Sequence, residues 1–86
     1  MYKIGYEASA AKELSKLDKA AARLIIKAIQ KLATDPRPPG CRSLVGYENL
    51  WRIRVRDYRV VYTIVDEELV VLVVRVAHRT EVYRTL

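Results

Sequence analysis

The chain contains one cysteine, Cys41, and one histidine, His78. A single cysteine excludes an intrachain disulfide, and one Cys with one His is too few for a zinc-type ligand cluster. The sequence therefore predicts no metal site and no cofactor, and it fits a reducing, cytoplasmic setting. Phenylalanine is absent, so six tyrosines and one tryptophan supply all the aromatic surface.

Long hydrophobic runs are also missing. The N-terminal MYKIGYEASA lacks the apolar core of a signal peptide. The longest apolar run, residues 69–74, has six residues. A membrane-spanning helix needs about 20, so no membrane association is expected.

Acidic residues are scarce relative to basic ones. There are 10 Asp and Glu against 16 Lys and Arg, which gives a net charge of +6. A charge of this sign favours an anionic partner such as nucleic acid. The basic residues of 1–34 are mostly lysine, whereas those of 35–86 are all arginine. Lysines on a helix surface commonly do no more than contact solvent, whereas a concentration of arginines on strands is less common and needs an explanation.

With 86 residues, the chain predicts a single domain, 1–86. Apolar spacing predicts a helix pair over 8–34, with Asp18 as the second N-cap and the TDPRPPG loop as the end. Strands are expected near 2–6, 43–47, 50–56, 58–65 and 69–77. The short connections in the second half predict antiparallel neighbours. The expected fold is α+β: a helical hairpin packed on a twisted antiparallel β-sheet of about four strands, with a short C-terminal helix or arm at 78–86.

The stretch LWRIRVRDYRVVYT, residues 50–63, combines strand-forming residues with a high density of arginine. Apolar residues at 51, 53 and 55 alternate with Arg52, Arg54 and Arg56. At a period of two, one strand face is apolar and the other is a row of guanidinium groups. Such a row suggests that an anion lies against it. A solvated strand face that pairs with nearby carboxylates is the competing interpretation.

RNA cleavage is one reaction that such a surface supports. The 2′-hydroxyl supplies the nucleophile, so the protein needs positive charge at the phosphate and groups that move protons. The antiparallel meander would bring Arg59 and Arg75, and His78 after them, to the same open sheet face as the arginine row. The two arginines would add charge there, and His78 could act as acid or base. Tyr83 could stack on a base or transfer a proton. Each of these residues also has an interpretation without a catalytic role: an arginine on the surface, a histidine held by a hydrogen bond and a tyrosine that packs in the fold.

The motifs GYENLWRIRVRDYRVVYTIVDEELVVLVV and VAHRTEVYR resemble the RelE/ParE superfamily of small bacterial and archaeal toxins, and look closer to the RelE branch. The resemblance implies a toxin of a type II toxin–antitoxin system that cleaves mRNA in the ribosomal A site. It also implies a RelB-like antitoxin that covers the basic surface, and operator DNA bound only through the toxin–antitoxin complex.

The resemblance assigns site residues position by position. The family's basic pair falls on Arg52 and Arg54, its phosphate-binding arginine on Arg59 and its later arginine on Arg79. Its C-terminal aromatic falls on Tyr83, and His78 matches relatives with a catalytic histidine. The wider set expected to contact phosphate is Arg52, Arg54, Arg56 and Arg75.

One departure from the family pattern concerns the basic pair. Well-studied RelE-type enzymes carry lysine where this chain has Arg52 and Arg54, and arginine is a poor proton acceptor. Proton transfer would then fall to His78, to Tyr83 or to the ribosome. Two other functions share the scaffold or the charges: a ParE-like inhibitor of DNA gyrase that acts by protein contact, and a module that binds nucleic acid without chemistry.

Overall fold

The computed structural model describes residues 1–78 and Thr80. The elements in chain order are β1 (Lys3–Tyr6), α1 (Ala8–Ser15), α2 (Lys19–Lys31), β2 (Arg42–Ser43), β3 (Trp51–Val55), β4 (Tyr58–Val65), a 3₁₀ helix (Asp66–Glu68) and β5 (Val70–His78). The fold is α+β, with the helix pair on one face of a five-stranded sheet, as the sequence predicts.

The helix pair follows from local signals. The carboxylate of Asp18 accepts a hydrogen bond from the Ala21 N–H at 3.4 Å and caps α2. Ile25 and Ile29 recur at helical spacing and are fully buried against the sheet. The helix ends before the proline-rich segment 34–40, which cannot continue it.

The sheet order is β1-β5-β4-β3-β2. Strands β2 to β5 are antiparallel neighbours, as their short connections require. The five strands are compatible with the expected antiparallel sheet of about four, and the one difference is that β1 lies at the edge and runs parallel to β5. The connection from β1 to β5 passes through both helices and three strands, so no hairpin constrains its direction.

The strand expected near 43–47 is much shorter than predicted. Only Arg42–Ser43 pair with β3, and residues 44–50 form a loop. Gly46 and Asn49 have φ values of 84° and 56°, which a regular strand does not accommodate. The expected turn at 65–69 contains the 3₁₀ helix and ends at Leu69, whose φ is 55°.

The main core lies between the helices and the sheet. It contains the fully buried Tyr62, Val60 and Val73 together with the α2 stripe, and Trp51 packs against it as expected. A smaller apolar cluster lies on the opposite sheet face, where Leu44 and Leu50 pack against Val61 and Ala77. The loop 44–50 therefore covers part of the second face.

The expected C-terminal helix or arm at 78–86 falls mostly outside the described residues. His78 ends β5, and Thr80 is the other described residue of this segment. Within the described part, no helix has the length and apolar character that crossing a membrane requires.

Candidate nucleic-acid interface

The predicted row of arginines is present on β3. Ile53 faces the core, while Arg52 and Arg54 project from the opposite side of the strand. Arg59 of β4 pairs directly with Arg54, and Arg42 of β2 pairs directly with Arg52, so all four share one face. We call this surface, made by Arg42, Arg52, Arg54 and Arg59, the arginine face.

The arginine face places like charges in direct opposition. Arg42 opposes Arg52 across β2 and β3, and Arg54 opposes Arg59 across β3 and β4. The Cβ atoms of directly opposed residues lie about 5 Å apart, and like charges there destabilise the sheet by up to about 1 kcal/mol per pair. A bound polyanion would remove this repulsion, so the register suits an anionic ligand.

Arg59 is the buried member of the arginine face. Its exposed fraction is 8%, and its strand neighbour Val61 on the same face is fully buried. Arginine is seldom this buried, and its charge acts more strongly where water is reduced. A phosphate oxygen that reaches Arg59 would therefore be stabilised more than one bound at the exposed Arg54.

Arg42 is a member of the face that sequence reasoning missed. It lines an open depression of about 350 Å³ at the β2–β3 edge, formed by Pro39, Gly40, Arg42, Arg52, Ile53 and Arg54. The strand was expected to begin at residue 43, which left Arg42 in the preceding loop. The available signal was its position directly after the proline-rich segment, where a chain re-enters a sheet.

The position of the depression is fixed by a buried tyrosine. The Tyr62 hydroxyl donates a hydrogen bond to the Pro36 carbonyl at 2.7 Å, and burial raises the pKa of this phenol well above its usual range. The Cys41 N–H donates to the Pro38 carbonyl at 3.0 Å. The first bond ties the proline-rich segment to β4, and the second closes the turn that leads the chain into β2.

Arg56 and Arg75 do not join the depression. Arg56 is exposed in the two-residue turn between β3 and β4, with a φ of 54°. Arg75 forms an ion pair with Glu13 of α1, with 2.7 Å between Arg75 Nη2 and Glu13 Oε2 and 3.0 Å from Nε to the same oxygen. A phosphate at Arg75 would have to compete with this carboxylate.

His78 lies on the other side of the sheet from the arginine face. It pairs with Tyr58, which packs against the main core, and the two rings meet edge to face with centroids 5.8 Å apart. Both residues line an open pocket of about 420 Å³ with Lys16 and Leu17 of the helix pair. The expected convergence of His78 with the arginines is therefore not observed.

Two of the expected catalytic residues, Arg79 and Tyr83, lie outside the described residues. Their roles remain predictions. Among residues 1–78 and Thr80, no three His, Cys, Asp or Glu side chains are grouped to hold a metal ion.

A polar cluster at the far end of the sheet is structural. Arg37 Nη2 lies 3.0 Å from Asp66 Oδ2, and the Tyr2 hydroxyl donates to Asp66 Oδ1 at 2.6 Å. The hydrogen bonds from Arg37 and Tyr2 hold the pKa of Asp66 below its ordinary value. The Arg37 guanidinium also lies 5.1 Å from the ring centroid of Trp51, in a cation–π contact.

Known toxins share this sequence pattern and this fold. Residues 4–83 match the family model described as the ParE toxin of the type II toxin–antitoxin system. A RelE-like toxin protein of Escherichia coli is 34% identical over 86 residues, which cover 95% of this chain and 90% of that protein.

Solved structures agree with these matches. The isolated E. coli RelE toxin superposes with a TM-score of 0.80 at 27% identity and covers 100% of both chains. The toxin of the E. coli RelBE toxin–antitoxin complex gives a TM-score of 0.80 at 29% identity, over 91% of this chain and 96% of that one. The chain therefore belongs to the RelE/ParE superfamily of type II toxin–antitoxin toxins.

Proposed function

We propose that this toxin is an endoribonuclease that cleaves mRNA in the A site of the ribosome and so inhibits translation. The observation that carries the proposal is the arginine face, where two pairs of arginines lie directly opposite each other although their like charges repel. A surface that only contacts a protein would not need this arrangement. A phosphodiester chain supplies the negative charge that it requires.

The proposed reaction uses the nucleophile of the RNA itself. The 2′-oxygen bonds to the adjacent phosphorus, and the bond from phosphorus to the 5′-oxygen breaks, which leaves a 2′,3′-cyclic phosphate and a 5′-hydroxyl. The buried Arg59, together with Arg52, which lies diagonally across from it on β3, stabilises the extra negative charge on the phosphorane. Arg54 and Arg56 hold flanking phosphates of the RNA.

Proton transfer requires a group other than these arginines. Guanidinium stays protonated, so Arg52 and Arg54 bind charge but do not accept the 2′-proton. His78 lies on the opposite sheet face, against Tyr58. We assign proton transfer to Tyr83 or to ribosomal groups, and Arg79 to the phosphate. A pH–rate profile that changes in Tyr83→Phe and not in His78→Ala is the expected result.

The expected partners follow from the same surface. Toxins of this fold are seen in complexes with RelB antitoxins, including that of E. coli. We propose that a RelB-like antitoxin neutralises this chain by covering the arginine face. Operator DNA would then be bound through the antitoxin in the complex.

A ParE-like inhibitor of DNA gyrase is the second candidate. It is favoured by the family model itself, which describes the ParE toxin and spans residues 4–83. Such an inhibitor acts by contact with a protein, so it would leave mRNA intact and would block DNA supercoiling.

The experiment adds purified protein to programmed ribosomes and maps the 5′ ends of the mRNA by primer extension. We expect cuts confined to the A-site codon and absent without ribosomes. Arg59→Lys keeps the charge but loses the planar fork, and should slow cleavage by about 100-fold or more while ribosome binding persists. Arg23→Lys, on the exposed surface of α2, is the matched control. Intact mRNA together with blocked supercoiling would establish the gyrase alternative instead.

A further inference from the structure

We infer that Arg42, together with Arg52 and Arg54, forms a second anion subsite at the β2–β3 edge. This subsite binds a backbone phosphate of the RNA next to the one held at Arg59. The inference rests on the proposed function and adds a substrate contact to it.

The geometry of the subsite comes from strand register. Arg42 lies directly across from Arg52, and Arg54 projects from the same face two residues further along β3. All three line the depression of about 350 Å³, whose remaining wall is Pro39, Gly40 and Ile53. No carboxylate appears among the described residues that line it. The depression is thus a concave site with guanidinium groups on several sides.

The charge of the subsite is not neutralised within the described part of the chain. Arg37 has Asp66 as its partner and Arg75 has Glu13. Arg42, Arg52 and Arg54 make no ion pair or side-chain hydrogen bond with residues 1–78 or Thr80. Among residues 1–78 and Thr80, Arg37 and Arg75 each have a carboxylate partner, whereas these three have none there and can bind an external anion.

The subsite is also held in place before any ligand arrives. The hydrogen bond from Tyr62 to the Pro36 carbonyl and the bond from the Cys41 N–H to the Pro38 carbonyl fix the segment that enters β2. The prolines restrict the backbone of this segment further. Because the backbone that carries Arg42 is fixed in this way, binding an anion costs conformational freedom of the arginine side chains and not of this segment.

The position of the cluster favours RNA as its occupant. β2 lies one strand beyond β3, on the side away from β4, so Arg42 extends the arginine face by about 5 Å from Arg52. A polynucleotide that crosses the strands would meet Arg59 and then the Arg42 cluster. The planar guanidinium fork matches two oxygens of a phosphate group.

The first test is binding of a fluorescein-labelled, short 2′-O-methyl RNA, which lacks the attacking hydroxyl and cannot be cleaved. Fluorescence anisotropy over a range of salt concentrations gives the affinity and its salt slope. We expect Arg42→Gln to weaken binding roughly two- to fivefold and to reduce the salt slope by about 0.7. Arg42→Lys should keep most of the slope because it keeps the charge. Arg23→Gln is the control and should change neither value.

Arg42→Gln should fold normally, because it removes a like charge from beside Arg52, and its thermal melting curve verifies this. In programmed ribosomes the variant should raise KM and leave the single-turnover cleavage rate unchanged, as for a contact remote from the scissile bond. An unchanged RNA salt slope in Arg42→Gln would overturn the subsite. Unchanged RNA binding with weakened binding of an acidic antitoxin peptide would assign the cluster to a protein partner instead.

These outcomes separate the subsite from the proposed function. If wild-type protein leaves mRNA intact on ribosomes while Arg42→Gln still lowers the RNA salt slope, the nuclease proposal fails and the subsite stands. If wild-type protein cuts in the A site and Arg42→Gln behaves like Arg23→Gln in every assay, the subsite fails and the nuclease proposal stands.

Discussion

Arg56 has a backbone conformation that L-residues with a side chain tend to avoid. It is the first residue of the two-residue turn between β3 and β4, and its φ is 54°. Tight hairpins with a positive φ at this position usually carry glycine or asparagine there. An arginine is therefore a departure from local preference, and such departures often occur at functional sites.

This conformation makes Arg56→Gly informative. Glycine adopts a positive φ without steric cost, so we expect the free energy of unfolding to rise by up to about 1 kcal/mol. Asp57→Gly is the control, since Asp57 has no positive φ and its replacement should destabilise by about 0.5–1 kcal/mol. Urea denaturation measures both. A marked loss of stability in Arg56→Gly would show that the guanidinium makes contacts that outweigh the strain.

At the scale of elements, α1 completes the edge of β5. β1 pairs with Val70 to Val73, and beyond that point α1 supplies the partners for the strand. Ser9 Oγ donates to the Val74 carbonyl at 2.9 Å, and Glu13 Oε1 accepts from the Val76 N–H at 2.8 Å. The same Glu13 carboxylate forms the ion pair with Arg75. One side chain therefore accepts a hydrogen bond from the backbone of β5 and also pairs with the Arg75 guanidinium.

Loss of Glu13 should therefore loosen this edge. Glu13→Ala leaves the Val76 N–H and the half-buried Arg75 guanidinium without this acceptor, and we expect the free energy of unfolding to fall by about 2–3 kcal/mol. Glu13→Gln keeps a carbonyl acceptor and should cost less. Glu7→Ala is the control, because Glu7 caps α1 without a side-chain hydrogen bond. Equal unfolding curves for Glu13→Ala and Glu7→Ala would contradict the role of the carboxylate.

At the scale of the whole molecule, one carboxylate joins three distant segments. Asp66 binds Arg37 of the proline-rich segment and Tyr2 at the start of the chain. The pKa of Asp66 is lowered below 3.8 in the folded state, first by the bond from Arg37 and then by that from Tyr2. A lowered carboxyl pKa means that the folded state prefers the ionised form. The resulting stability is fully present above about pH 4 and is lost as the pH falls through the folded pKa.

We therefore expect Asp66→Asn to be less stable than wild type at neutral pH and to lose less stability in acid. Glu67→Gln, at the adjacent exposed position, controls for the loss of one negative charge. Thermal unfolding measured from neutral pH down to about pH 3 gives the dependence of stability on pH for wild type and for each variant. Parallel pH curves for wild type and Asp66→Asn would rule out Asp66 as a source of acid sensitivity.

Charge is divided between the two sides of the molecule. The net charge is +6, and four of the six lysines lie in the helices whereas five of the ten arginines lie in the strands that the structure describes. The four arginines of the arginine face lie away from the helix pair. A positive field of this form would attract an anionic partner from several directions, and the arginine face itself contains no lysine.

Most of the fold, but less of the site, could be predicted from the sequence. The α2 stripe, the Asp18 cap, the β3 alternation and the antiparallel meander depend on neighbours within a few residues, so periodicity reveals them. Arg52 and Arg54 were found for the same reason. Arg75 and His78 are three positions apart, and residues an odd number of positions apart lie on opposite faces of a regular strand. The sequence therefore already indicated that His78 would not share a face with Arg75.

Long-range pairing decided the rest, because the energy of a strand pair depends on residues far apart in the chain. Local sequence patterns specify the helices, the arginine row and its alternation with core residues. Only the tertiary structure made β1 parallel to β5 and placed Arg42 opposite Arg52. Tertiary contacts likewise gave Arg75 its partner Glu13. A shift of one residue in register would have moved these side chains to the other face, and nothing local to the sequence specifies that register.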